Sequence, residues 1–172
     1  MNAPGREPVF AGCKTADVTT STQVGERMAL RAAVPEDLET IVELRAVVMR
    51  PDLERLGRFD PQRVRQRFRE AYVPEHVSIV LYDGAFAGSV AMRPGDDGWW
   101  LEHFFLRPDL QGQGLGSAVL RTVLAPRDAA GETVRLNVLQ GSAARRLYAR
   151  HGFVLESQDP VDVFMVRRPA ES

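Results

Sequence analysis

Leu101-Glu102-His103-Phe104-Phe105-Leu106-Arg107-Pro108-Asp109-Leu110-Gln111-Gly112-Gln113-Gly114-Leu115-Gly116 is the stretch whose reading decides the fold. Trp99 to Leu106 has the apolar and aromatic character of a strand, and Pro108 interrupts it. Gly112, Gly114 and Gly116 then make a turn that opens into a helix whose apolar face is Leu115, Ala118, Val119 and Val123. The first N–H groups of such a helix lack intrahelical partners, and glycine lets main chain come close to an anion, so the turn is suited to phosphate. Two familiar phosphate motifs fail on inspection. The dinucleotide fingerprint GxGxxG meets Ser117 at its third glycine, and no GK[ST] follows as a Walker-A loop requires. What remains is QxxGxG, carried by Gln111, Gly114 and Gly116, with no basic residue inside it.

The elements on either side of this stretch follow from local signals. Met28–Ala32 reads as a short strand. A helix should start at Pro35, with Glu36 and Asp37 at its positive end and Leu38, Ile41, Val42 and Val48 as its apolar stripe. Asp60-Pro61 marks a second helix carrying Val64, Phe68, Ala71 and Tyr72. Asp83-Gly84 predicts a hairpin between Val77–Tyr82 and Ala85–Met92, and Pro94 to Gly98 should break the chain before the next strand. Beyond the glycine turn, residues 115–124 form a helix, 133–139 a strand, 143–150 a helix, and 153–157 and 161–166 two strands. The order β-α-α-β-β-β-α-β-α-β-β describes an α/β fold with a mixed sheet and helices on its faces.

Bulk properties narrow the function. The chain has 172 residues, 44% of them hydrophobic, and a formal net charge of −1. That suits one domain, residues 27–172, behind a Gly-, Pro- and Thr-rich tail, residues 1–26, expected to be disordered. Near-neutral charge gives no global attraction to nucleic acid or an anionic membrane. No apolar run approaches the ~18–20 residues of a membrane span, and no signal-peptide pattern opens the chain, so a cytoplasmic location is expected. Cys13 is the only cysteine, and His76, His103 and His151 show no HExxH spacing, so no metal site is expected.

With strand, glycine turn and helix in place, Gln111–Gly116 resembles the acetyl-CoA signature of the GNAT superfamily of N-acetyltransferases. A second block agrees: Leu147-Tyr148 followed by Gly152-Phe153 is similar to that family's LYxxxGF. Leu30-Arg31-Ala32 and Asp37-Leu38 resemble its first strand and helix, and the likeness covers about residues 28–168. It implies a mostly antiparallel sheet of about seven strands, splayed between the fourth and fifth. It further implies transfer of an acetyl group from acetyl-CoA to a primary amine of a small molecule or peptide, by direct attack in a ternary complex. A module of the same fold that senses acyl-CoA or contacts a protein without catalysis is the alternative. No oligomeric state follows, although a homodimer is compatible with the sequence.

The same resemblance assigns residues. The pyrophosphate of coenzyme A would lie on Gln111, Gly112, Gln113, Gly114, Leu115, Gly116 and Ser117, and the pantetheine arm would run along Phe104, Phe105 and Leu106. The Leu106 N–H would hold the thioester oxygen. Glu102 and His103 are the candidate bases. Alternation would send them to opposite sheet faces, and His103 is preferred for the cleft. Tyr148 would serve the departing thiolate. The family often has asparagine where this chain has Gly141, so Ser142 is left either to contact the cofactor or to cap the next helix. The first two helices would line the acceptor site, a region rich in arginine: Arg50, Arg55, Arg58, Arg63, Arg65, Arg67 and Arg69. Most of these suit a solvated face, but Arg50, Arg55 or Arg58, together with Arg45, could bind an acceptor carboxylate or phosphate. Arg45 lies in phase with the apolar stripe, where its stem packs and its head either reaches water or points into a cleft.

Overall fold

A computed structural model describes residues 23–171. Seven strands form one sheet in the order β1-β2-β3-β4-β5-β7-β6. They are β1 (Met28–Ala32), β2 (Val77–Tyr82), β3 (Ala85–Gly95), β4 (Gly98–Leu106), β5 (Val134–Leu139), β6 (Val154–Gln158) and β7 (Asp162–Arg167). Every pairing is antiparallel except β4 with β5. Four helices flank the sheet: α1 (Leu38–Arg55), α2 (Pro61–Ala71), α3 (Leu115–Ala129) and α4 (Ala144–Arg150).

The sheet separates two cores, as period-two alternation demands. Ile79, Ala91 and Phe105 point to one face and pack with Ile41, Val42 and Leu44 of α1 and Phe68 of α2. Their neighbours Val80, Val90 and Leu106 point to the other and pack with Leu115, Ala118, Val119 and Leu120 of α3 and with Tyr148 of α4. Val24, 8% exposed, joins this second core, and residues 23–27 are helical. Residues 23–26, expected to belong to the tail, are thus helical, with Val24 packed into this core. Residues 1–22, and with them Cys13, lie outside the described residues.

Pro94, expected to break the chain, does not, and Pro51 likewise lies inside an element. Pro94 stays within β3, opposite Trp99. The Trp99 N–H donates to Thr133 O at 2.9 Å, away from β3, so this is a pair without mutual hydrogen bonds. The proline nitrogen faces the side where β2, which pairs only as far as Ala91, has already ended. Pro51 sits inside α1, which continues to Arg55. Its last turn is tied across the molecule: the Arg55 guanidinium donates to Gln140 O at 3.0 and 2.7 Å and to Asp52 at 2.7 Å. The Asp83-Gly84 hairpin forms as the sequence predicts, with φ of +52° and +77° and Tyr82 paired to Ala85.

The strand that places the site is β4. It pairs with β5 only at Trp99–Val134 and Trp100–Arg135, and beyond these the two strands part. Against β3 it carries a bulge: Ser89 faces Phe105 and Ala91 faces Glu102, so one residue of β3 spans two of β4. His103 adopts φ of +51° there. Its freed carbonyl accepts a hydrogen bond at 2.8 Å from the hydroxyl of Ser89, a fully buried polar residue. No helix among the described residues is long and apolar enough to cross a membrane.

Candidate active site

A cleft of about 1200 Å³ opens where β4 leaves β5, walled by α1 and α2 on one side and by α4 on the other. The bulge decides what faces it. Glu102 shares a side with Arg93, whose Nε and Nη2 donate to its carboxylate at 2.9 and 3.5 Å. His103 packs edge-on against Phe68 of α2, ring centroids 4.8 Å apart. Its Nε2 is 3.9 Å from Glu102 Oε1. The two residues therefore occupy the same face, contrary to the expectation from alternation, because the extra residue of a bulge cancels one step of the pleat. Burial drives His103 down to about 4, with Arg45 and Arg93 adding to the shift and Glu102 opposing it. The imidazole is thus neutral at pH 7 and open to a proton.

On the opposite wall, Tyr148 of α4 is 8% exposed and packs against Phe104 and Phe153, with centroids 6.4 and 5.9 Å away. Its hydroxyl reaches the cleft and has no hydrogen-bond partner among the described residues. Burial alone pushes the phenol upward, so it stays protonated.

The glycine turn lies at the end of β4. A single turn of 3-10 helix, Pro108–Leu110, follows the strand, and Gly112 and Gly114 take φ of +75° and +88°. The Gln111 N–H bonds to Pro108 O and the Ala118 N–H to Gly114 O. Between them no main-chain N–H of residues 112–117 finds a partner among the described residues. The expected cradle of 111–117 is thus shorter by Gln111, whose side chain instead donates to Leu106 O at 3.0 Å. Gln113 holds the turn through Asp109 O at 2.9 Å. A Cβ on Gly116 would stand 3.0 Å from Leu147 Cδ2, so α3 and α4 meet there at close range. Ser117 is linked to His151 Nε2 at 3.1 Å. The Arg107 N–H donates to Ala87 O of β3, so that of Leu106, one residue earlier, is directed to the opposite edge, into the gap.

Residues 74–155 match the sequence model of the acetyltransferase (GNAT) domain. Over these residues the chain is similar to that family. No curated protein sequence matches it. Among solved structures, the PaiA N-acetyltransferase of Thermoplasma acidophilum, in complex with coenzyme A, is similar at a TM-score of 0.67 and 20% identity, over 82% of this chain and 98% of that one. The ribosomal-protein-S18-alanine N-acetyltransferase of Escherichia coli gives 0.64 and 18%, over 84% and 96%. N-acetylglutamate synthase of Neisseria gonorrhoeae, complexed with coenzyme A and L-arginine, gives 0.55 and 19%, over 84% of this chain and 34% of that one.

Not every expected site residue meets the cleft in the expected way. Phe104 turns to the α3 side, beside Tyr148, whereas the Phe105 side chain belongs to the α1–α2 core and lies under Arg45, 5.8 Å from its guanidinium. Ser142 caps α4: its hydroxyl accepts from Ala144 N at 3.3 Å, although it also borders the cleft. Arg50 pairs with Glu54 at 2.7 Å and stacks on Phe59, away from the cleft. Arg55 is spent on Gln140 and Asp52, and Gly141 beside it has φ of +75°, where a Cβ would fall 2.5 Å from Arg55 Nη1. Glycine at this position suits both the left-handed φ and the approach of the Arg55 guanidinium. Arg45 and Arg58 do line the cleft, joined by Arg63 and Arg67, both of which are also exposed, as the solvated-face expectation has it. The sequence reading also missed Ser89 and Arg93, which hold the bulge and Glu102; the only signal was a serine between small residues, Ala87-Gly88-Ser89, inside an apolar strand. Trp99 and Trp100 brace the sheet under Arg127 and Arg93 rather than closing the cleft. Among the described residues no group of three or more His, Cys, Asp and Glu side chains could hold a metal ion.

Proposed function

We propose that this protein transfers an acetyl group from acetyl-CoA to a primary amine by direct attack within the cleft. The observation that carries the reading is the run of unpartnered N–H groups at 112–117, set where β4 departs from β5. Fixed amides and the helix dipole suit a diphosphate without any lysine. The strand gap gives a slender acyl-carrying arm the edge of β4 to pair with, at Phe104 and Leu106. Acetyl-CoA would supply the activated thioester, and the chain's own groups the rest.

The amine nitrogen attacks the thioester carbonyl carbon, and the C–S bond breaks. Charge gathering on the carbonyl oxygen is met by the Leu106 N–H, a preorganised donor. The proton leaving the nitrogen passes to His103, directly or through a water held with Glu102. The Tyr148 hydroxyl gives its proton to the departing sulfur, leaving amide and free thiol. No cysteine occurs among residues 23–171, so nothing in the cleft offers a thiol for an acetyl-enzyme.

Thiol release from acetyl-CoA across a panel of amines, amino acids, polyamines and peptides tests this. Turnover with at least one acceptor is expected, and calorimetry should detect coenzyme A binding. A folded sample that shows neither would refute the proposal.

A further inference from the structure

The arginines of α1 and α2 fall into two populations. Arg65 and Arg69 face α1 and pair with Glu43 and Glu39, at 2.8 and 2.9 Å. Arg45, Arg58, Arg63 and Arg67 line the cleft, and none of their guanidinium groups makes a hydrogen bond or ion pair among the described residues. The Arg45 Nε is buried with no hydrogen-bond partner among the described residues, and leaving a buried charged donor unpaired is unfavourable. Arg63 and Arg67 stand four residues apart on one helix face, where like charges repel. Arg67 is near enough to oppose the charge on Arg45, although burial is the larger influence there.

The carboxylates bordering the same cleft make no ion pair with them, although Asp159 feels the charge of Arg58 and Asp60 that of Arg63. Asp52 is held by Arg55, Glu102 by Arg93, and Asp60 caps α2 through Gln62 N and Arg63 N. Asp159 accepts from Val161 N and Asp162 N, and Asp162 from Asn137. Each carboxylate has another partner, while four cations converge on one cavity beside His103 and Glu102.

We propose that the acceptor is an amine bearing an oxyanion, a carboxylate or a phosphate, which Arg45 grips at the floor of the cleft with Arg67 beside it. Arginine's planar fork matches either oxyanion with paired hydrogen bonds. The inference rests on the acetyl-transfer reading and narrows its acceptor.

The test compares amino acids with their amides, and aminoalkyl phosphates with the matching amino alcohols, in thiol release. Alongside it, calorimetry in saturating coenzyme A follows the N-acetylated form of each compound, which reads the site even where turnover is slow. Charged members should exceed their neutral partners by about ten- to a hundredfold. The amino acid and phosphate arms identify which oxyanion is preferred. Arg45→Met should abolish that ratio while leaving the KM for acetyl-CoA unchanged. Should Arg45→Met not fold, Arg67→Met, at an exposed position, should reduce the ratio severalfold. Equal rates and equal binding for charged and neutral members would overturn the anion site and leave acetyl transfer standing. Loss of coenzyme A binding in the native protein would instead remove the reading beneath it.

Discussion

The two walls of the candidate site are made of different material. One, the glycine turn ahead of α3 at the end of β4, presents main chain: unpartnered amides at 112–117 on two left-handed glycines. The α1–α2 wall presents side chains brought from distant parts of the sequence, with Arg45, Phe68, Arg93 and His103 meeting around one bulge. A site of backbone is set by local conformation and is indifferent to what lies beyond it. A site of side chains is set by packing and carries selectivity. The first wall should therefore govern acetyl-CoA, the second the acceptor, and variants should divide along that line.

Tyr148 stands between the walls and should give the largest effect. Tyr148→Phe removes a hydroxyl that no group among the described residues engages, so stability should be unchanged within about 0.5 kcal/mol. kcat should nevertheless fall by about 10²-fold or more, as for loss of a positioned acid, with coenzyme A affinity retained. Steady-state kinetics and thermal melts on one preparation check both halves. A stable variant with full kcat would remove Tyr148 from the reaction.

His103 offers the next effect, on stability. Its folded value of about 4 lies below the ordinary 6.5. Between those values the unfolded chain holds a proton that the native chain lacks. Stability should fall as pH drops from about 6.5 to about 4, by up to about 3 kcal/mol. His103→Gln cannot titrate and should show a shallower acid slope in urea midpoints measured over that range. An unaltered slope would mean that His103 does not sense the burial described. An oxyanion bound at Arg45 would offset one of the two cations that depress His103, so an acidic acceptor should raise its proton affinity and improve it as a base.

The contrast between the walls also explains what the sequence revealed. The QxxGxG turn, the Asp83-Gly84 hairpin and the Asp60-Pro61 helix start are local: glycine, proline and capping residues act on their own neighbours, and all three stand where their residues indicate. The splay of β4 from β5 came only through resemblance to a family. The same-face placement of Glu102 and His103 could not be read, because the bulge depends on Ser89, fourteen residues away along the chain, reaching one carbonyl. The arginines were ambiguous for a similar reason. Composition treats Arg65 and Arg67 alike, and only the position of α1 gives one a glutamate and the other a cavity.

Ser89→Ala tests the support of the bulge. The His103 carbonyl would lose its donor at a fully buried position, which should destabilise the fold by about 1–3 kcal/mol. The effect on function should be confined to the acceptor: kcat/KM for the amine falls severalfold while the KM for acetyl-CoA holds. A rise in both would mean that the bulge shapes the two walls together.

Gly114→Ala should have the smallest effect, and it probes the opposite wall. No atom lies within 4 Å of the Cβ it would add, so nothing clashes, but φ of +88° is unfavourable for alanine. The cost is conformational, about 1–2 kcal/mol, and a lower melting temperature should report it. The chain can relieve that strain by rotating the N–H groups that follow, and these are the groups offered to the diphosphate. The KM for acetyl-CoA should therefore rise while the ratio of charged to neutral acceptors keeps its native value. If that ratio moved with Gly114, the amides of the turn and the arginines across the cleft would form one coupled site, and the division between backbone wall and side-chain wall would not hold.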